Sequence, residues 1–305
     1  MKKGLLATAA IVAAAAPAWS QNRMLDPQRP EDALEISKRV QCGTADGVPA
    51  VYYWYGKVYS RVQGEPDRHI FNGEGMNVRQ CVSTNDPVRG PGWRMVSREI
   101  MLYTDPVTNE VVREWRNPWT GETVPVMHIA NDPVNSRGFT YARGQDGTPY
   151  RLNARQVGRW LLMPIEVPLF YTNPLAGDYQ DYVGNKYHAM EIFDFAMDAN
   201  EAMDARRHPT VYPTVSWVRI SDWMPWMKMR GRQGQIVFNA MGTKLRSFDD
   251  LPLVLRNEIA ANYPAYVAPP PLDDARPNDT TWTVFKRMVD EERARQGQQA
   301  PRQGH

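Results

Sequence analysis

A mainly β protein, built as an antiparallel meander that closes into a barrel or a barrel-like pair of packed sheets, is predicted by three features of this 305-residue sequence. Short β-branched and aromatic runs alternate with clusters of Gly, Pro, Asn and Asp, the pattern of strands separated by turns. Within the runs apolar residues recur at every second position, as a half-buried strand requires. The chain also carries 10 Trp, 14 Tyr and 8 Phe, large rings that need a deep core or a concave pocket to bury them.

From Val51 to Ala130 five strands are expected. The first, Val51 to Val62, sets Tyr52, Trp54, Val58 and Val62 on one face and Tyr53, Tyr55, Lys57, Tyr59 and Arg61 on the other. His69 to Val82 follows, with Gly73-Glu74-Gly75 reading as a bulge or bend. Trp93 to Tyr103, Glu110 to Arg116 and Val124 to Ala130 complete the meander. Four longer runs come next: Trp160 to Tyr171, Tyr187 to Met197, Val211 to Trp223 and Gln235 to Leu245. Leu251 to Ala261 is dense enough in apolar residues for a short helix, with Asp249 or Asp250 as its cap and Pro264 as its end. Ala268-Pro269-Pro270-Pro271 reads as a stiff linker, Thr281 to Gln296 as a last charged helix, and 298–305 as a disordered tail. A single β-rich domain is therefore expected over 33–267, after a flexible segment 21–32 and before the linker and helix at 268–297. Many short antiparallel strands favour closure, because closure removes unpaired edges, and a lipocalin-like shape is the expectation.

The first twenty residues have the grammar of a secretory signal: basic Lys2 and Lys3, an apolar run from Gly4 to Ala16, then Ala18-Trp19-Ser20 before Gln21. The apolar run is shorter than the roughly 20 residues a membrane-spanning helix needs, so cleavage and a periplasmic or secreted location are expected. Without Lys2 and Lys3 the chain holds 34 basic and 34 acidic side chains. A neutral, mixed surface gives no electrostatic footprint for nucleic acid or for an anionic membrane, and neither partner is expected. Cys42 and Cys81 are the two cysteines, and export makes one disulfide between them the default, with two free buried thiols as the alternative.

Four separated motifs carry a family resemblance: Tyr52-Tyr53-Trp54-Tyr55-Gly56, Trp115 through Glu122, His128 through Asn135, and Trp223-Met224-Pro225-Trp226-Met227. Across roughly Ala33 to Pro264 the chain resembles the bacterial family named domain of unknown function 1838. The resemblance implies no catalytic residues, so candidate chemistry is argued from the residues themselves.

Alternation places His128 with Val124, Val126 and Ala130 on an apolar face, where an imidazole needs a partner. It is a candidate acid or base, with a core histidine bonded to backbone as the competing account. Glu191 alternates with Phe193, Phe195 and Met197, so it is either a proton donor or acceptor in an apolar pocket or one half of an ion pair with Arg116 or Arg219. The clusters Tyr52 to Tyr55 (Tyr53 and Tyr55 foremost), Trp115 with Trp119, and Trp217, Trp223 and Trp226 are candidate ligand walls, with Asn131 and Asp132 at a strand end beside them. His128 and Asp132 make no recognised metal spacing, and no metal site is expected. No phosphate loop, dinucleotide fingerprint, nucleophile elbow or paired CxxC occurs, and no cofactor is expected.

Binding of a small aromatic or lipophilic molecule in an aromatic-lined barrel is the leading expectation. A cofactor-independent lyase, isomerase or dehydratase using His128 and Glu191 is the second, and a structural or interaction protein the third. The signal reading predicts an exported form starting at Gln21, which amino-terminal sequencing of periplasmic material checks; a retained Met1 in the membrane fraction contradicts it.

Overall fold

A computed structural model describes residues 24–179 and 186–299. The expected signal segment, its cleavage point before Gln21 and the last residues of the tail lie outside the described residues.

The chain enters through α1 (Pro30–Gln41), a helix not expected from the sequence, which placed a flexible segment over 21–32 and the start of the β-rich domain at 33. Its signals are ordinary ones. Pro30 sits in the first turn with acidic Glu31 and Asp32, and Lys38 and Arg39 sit in the last, which suits the helix dipole at both ends. Ala33, Leu34, Ile36 and Val40 form its buried stripe.

The meander follows as β1 (Ala50–Arg61), β2 (Arg68–Asp86) and β3 (Gly90–Thr104). The expected strand over Glu110 to Arg116 shrinks to β4 (Glu114–Arg116), which pairs only with β5 (Thr123–Pro125) in a separate small hairpin. Val124 to Ala130 is likewise not one strand: Pro125 offers no N–H to a ladder, so β5 stops there, and β6 (Ile129–Asn131) starts anew against β3. After the short β7 (Thr140–Tyr141) and β8 (Arg155–Val157), the second half supplies β9 (Trp160–Thr172), β10 (Lys186–Asp198), α2 (Ala199–Met203), β11 (Thr214–Ser221) and β12 (Gln235–Leu245). α3 (Leu253–Asn262) and α4 (Thr281–Gln299) end it, and α3 starts after Pro252 rather than at Asp249 or Asp250, which shape a preceding short turn.

All the main strands join one antiparallel sheet in the order β6-β3-β2-β1-β12-β11-β10-β9-β8, with β7 paired to β3. The rung between β1 and β12, Val51 opposite Leu245 through Arg61 opposite Gln235, unites the two halves of the chain. Among the described residues this ladder does not close, so the barrel expected from the sequence is not formed by hydrogen bonds: β6 and β8 are its two ends. The sheet curls so that side chains of β3 and of β9 meet across one cavity, and α4 covers the seam. Asp279 N–H donates to Pro133 O, beyond β6, at 2.9 Å. Arg293 Nη2 donates to Asp178 O, beyond β9, at 3.1 Å, and Tyr179 OH donates to Asp290. Trp282, 1% exposed, fills the gap from inside.

The two-residue period assigns the faces. On the concave side, Tyr52, Phe195 and Val215 pack under α1 at one end of the trough. Val58, Phe71, Tyr103 and Phe238 meet a plug of Trp223, Trp226 and Met227 at the other. On the convex side Val51, Met76, Val78, Ile100 and Leu102 bury Leu255 and Ile259 of α3 and Leu251 just before it. The Pro-rich stretch lies against this same half of the sheet: Arg98 Nη1 donates to Ala268 O at 2.7 Å and Gln80 Nε2 to Pro270 O at 2.5 Å. The convex side of β9 and β10 carries Glu166, Phe170, His188 and Asp194 outward. One glycine is dictated by contact. A Cβ on Gly75 would fall 2.6 Å from the Trp54 ring, so only glycine lets this indole lie across β2 into the trough.

Cys42, just past α1, is joined to Cys81 of β2 by a disulfide. Beside it Lys244 Nζ donates to Arg39 O at 3.0 Å, Val40 O at 3.1 Å and Cys42 O at 2.6 Å, taking up carbonyls at the helix end. The bond ties α1 to the sheet across a sequence separation of 39. Chain-entropy arguments give such a loop about 3–4 kcal/mol. The double variant Cys42→Ala/Cys81→Ala is expected to lose that much in denaturant titration while keeping its fold. Intact mass before and after reduction and alkylation reports the bond directly, and two free thiols in protein folded under oxidising conditions would contradict it.

Candidate functional site

The curl of the sheet leaves a cavity of about 420 Å³ between the α1 end and the tryptophan plug. Its walls are largely apolar: Trp54 from β1, Met101 from β3, Ile165, Val167 and Leu169 from β9, Phe193 from β10 and Trp217 from β11. Trp54 and Trp217 meet edge-on at 6.1 Å, and Phe193 stacks on Trp217 at 6.3 Å. Thr280, Thr281 and Trp282 at the start of α4 form the part of the wall that covers the seam.

Two polar groups interrupt this lining. On the β10–β11 wall Glu191 stands directly opposite Arg219, whose Nη1 donates to Glu191 Oε1 at 3.2 Å. Arg219 Nη2 also donates to Tyr187 OH, and the guanidinium lies 5.8 Å from the Trp282 ring centre. Burial works against the Arg219 charge, but Tyr187 and the Glu191 carboxylate outweigh it and hold the guanidinium above the ordinary arginine value. Burial also pushes the Tyr187 phenol up to about 12, so it is neutral.

On the β2–β3 wall Glu99 is paired in register with Asn131 of β6, whose Nδ2 donates to Glu99 Oε1 at 3.3 Å. Arg79 lies on the same wall with Nε donating to Asn77 Oδ1 at 2.7 Å and its guanidinium 4.6 Å from the Tyr52 ring centre. The Glu99 carboxyl is raised to about 6, first by burial and then by repulsion from Glu191, against the opposing pull of Arg219. With Asp279, three carboxylates and two arginines therefore line one largely apolar space.

Of the residues that the sequence singled out, Glu191, Asn131, Tyr52, Trp54 and Trp217 line this cavity. Glu191 also has the ion-pair partner expected for it, Arg219 rather than Arg116. Tyr53 and Tyr55 face the convex side, where Tyr53 OH donates to Glu74 at 3.0 Å and Tyr55 is 54% exposed. Trp115, Trp119, Trp223 and Trp226 do come together, with Trp119 and Trp223 at 5.1 Å and Trp115 and Trp226 at 6.0 Å, but they form the plug and not the cavity wall. Asp132 is held on the outside between Arg98 and Arg276, at 2.9 and 2.7 Å.

His128 is absent from the cavity lining, so it and Glu191 do not meet there. Its Nδ1 accepts the Tyr103 N–H at 3.1 Å. The imidazole thereby continues the β3 ladder where β6 has not yet begun, and the remaining proton belongs on Nε2. Burial, with the nearby Arg113 charge, lowers His128 to about 4. Glu99 and Arg219 are the site residues that the sequence reading left in the background. The signal was present: Met95, Ser97, Glu99 and Met101 alternate onto one face of β3, as Val215, Trp217 and Arg219 do in β11.

The family model for a protein of unknown function, DUF1838, matches residues 47–289, most of the chain. The chain belongs to this family. The match covers β1 through the first half of α4, and thus the strands and the Trp282 cover that make the cavity of this DUF1838 protein. No curated protein matches the sequence. No helix among the described residues is long and apolar enough to cross a membrane, and none of their His, Cys, Asp and Glu side chains gather in threes that could hold a metal ion.

His128 gives a pH test. Its value in the folded chain lies below the ordinary 6.5, so the unfolded chain binds the extra proton and stability falls as pH drops from 6.5 towards 4. The expected contribution, up to about 3 kcal/mol, is read from denaturant midpoints across that range. His128→Asn keeps an acceptor for Tyr103 N–H and is expected to remove this component of the slope; an unchanged slope contradicts the assignment.

Proposed function

We propose that this protein binds a small, mostly apolar molecule, aromatic or otherwise lipophilic, inside the trough. The reading rests on one observation above the others: a cavity of about 420 Å³ with apolar strand walls and a few convergent polar groups. That volume falls within the roughly 300–1,000 Å³ of small-molecule pockets. Trp54, Trp217 and Phe193 would offer ring faces to a flat ligand, and Glu191, Arg219, Glu99 and Asn131 would fix the orientation of its polar end. The trough is lipocalin-like in use, a cup of antiparallel strands whose seam is covered by α4 rather than by a closing rung. The disulfide is compatible with a periplasmic or secreted setting. We take His128 and the four plug tryptophans as packing residues that shape the cup, and α4 as part of the same folding unit because Trp282 completes its wall.

Val167 points into the cavity opposite Glu191 in the ladder, and filling it tests the reading. Val167→Trp is expected to leave the thermal midpoint unchanged or raised and to weaken binding of aromatic probes by about tenfold or more, near 1.4 kcal/mol. Quenching of the intrinsic tryptophan emission by naphthols, indoles and short isoprenoids supplies the readout. Equal affinity in the filled variant and the parent would place the ligand elsewhere.

A further inference from the structure

We propose that the cavity is also a site of cofactor-independent proton transfer, in which Glu99 removes and returns a proton on a small aromatic or conjugated carbonyl compound while Arg219 and Tyr187 hold the carbonyl oxygen. This deepens the binding reading and rests on it.

The argument begins with which walls carry charge. Glu99 comes from β3 and the Glu191–Arg219–Tyr187 group from β10 and β11, so a ligand lying between them meets a carboxylate on one side and a cation with a phenol on the other. Glu191 is engaged by Arg219 at 3.2 Å, whereas Glu99 has a weaker amide neighbour, Asn131, at 3.3 Å. Glu99 is therefore the freer base, and Glu191 the group that fixes Arg219. Tyr187 oxygen accepts from Arg219 and keeps its own O–H proton, which suits donation to an oxygen that gains negative charge. Burial of both groups in an apolar space makes such interactions stronger than they are in water.

The step balances without a further reactant. The Glu99 carboxylate takes a proton from the carbon next to the carbonyl, and the C–H pair becomes a C=C bond. The carbonyl π pair moves to oxygen, giving an enolate held by Arg219 and Tyr187. Glu99, now a carboxylic acid, either trades its proton for one from solvent and returns that to the same carbon, or delivers the proton to a conjugated carbon, so the outcome is exchange with solvent or migration of a double bond. Charged groups around Glu99 are Glu191 from β10, Arg219 from β11 and Arg79 from β2, and Asp279, also on the cavity wall, is held by Arg287 at 2.6 Å. Burial first, and then Glu191 against the opposing pull of Arg219 and Arg79, raises Glu99 to about 6, close to the range in which a carboxylate is both ionised at neutral pH and basic enough to act.

The test uses 2-tetralone as a bicyclic aromatic ketone, with its binding followed by tryptophan emission and its exchange of α-protons for solvent deuterium followed by proton NMR. The full exported protein is expected to bind the ketone and to accelerate exchange over buffer, with the bound rate rising through about pH 6. Glu99→Gln, isosteric and checked by thermal melt, is expected to lose exchange by about 100-fold or more when compared with the parent at saturating ketone, its own affinity being measured by tryptophan emission. Arg219→Lys, which keeps the charge but not the fork, is expected to slow exchange while retaining pH dependence. Binding without accelerated exchange, or exchange undiminished in Glu99→Gln, overturns the catalytic inference and leaves the binding reading in place. Failure of the parent protein to bind the ketone overturns both.

Discussion

A curled antiparallel sheet that stops short of closing must do something with its seam, and most of this structure follows from how the seam is covered. Between β6 and the β8–β9 edge the backbone ladder supplies no rung among the described residues, so side chains and a helix take its place. α4 spans the gap from Pro133 on one side to Asp178 and Tyr179 on the other. Its Trp282 lies 4.2 Å from the Tyr187 ring, centre to centre, and closes the apolar surface where a strand would otherwise be needed. A cover made of a helix leaves more space within than a closing strand pair packed from both sides, and the cavity lies directly beneath it.

The ends of the trough are filled by different means. α1, pinned by the disulfide and by Lys244, caps one end with aliphatic side chains, while the hairpin of β4 and β5 and the Trp223–Trp226 turn fill the other with large rings. Aromatic abundance in this chain is thus divided between two uses. Trp223 and Trp226 are spent on the plug, and Trp54, Trp217 and Phe193 remain to face open space. Gly75 makes the second use possible by leaving room for the Trp54 ring over β2.

The polar groups in the cavity are organised by strand register rather than by proximity in sequence. Glu191 meets Arg219 because β10 and β11 pair those positions, and Glu99 meets Asn131 because β3 and β6 do. The two carboxylates differ in their surroundings: Glu191 is held in an ion pair by Arg219, while burial first, and repulsion from Glu191 second, raises Glu99 above the ordinary carboxylate value. An apolar pocket could bind a hydrocarbon without any of these charges, and burying them costs free energy that only a polar contact can offset.

Alternation along the chain was enough to determine the long strands and their faces. β12 spans Gln235 to Leu245 as read, Tyr52, Trp54 and Val58 share the inward face of β1, and Glu191 lines the apolar side of β10 with Phe193 and Phe195. Local pattern can do this because side-chain direction in a strand depends only on parity. The sequence also held signals for α1, a proline and two acidic residues in its first turn and two basic ones in its last, but no capping side chain marks its start. Tertiary structure alone decided which inward residues face empty space and which are packed: His128 and Glu191 carry similar local signatures, yet one completes a backbone ladder with Tyr103 while the other borders a cavity. That difference arises from how far the sheet curls and where β6 begins, quantities set by contacts between residues tens to hundreds of positions apart, and no short window of sequence contains them.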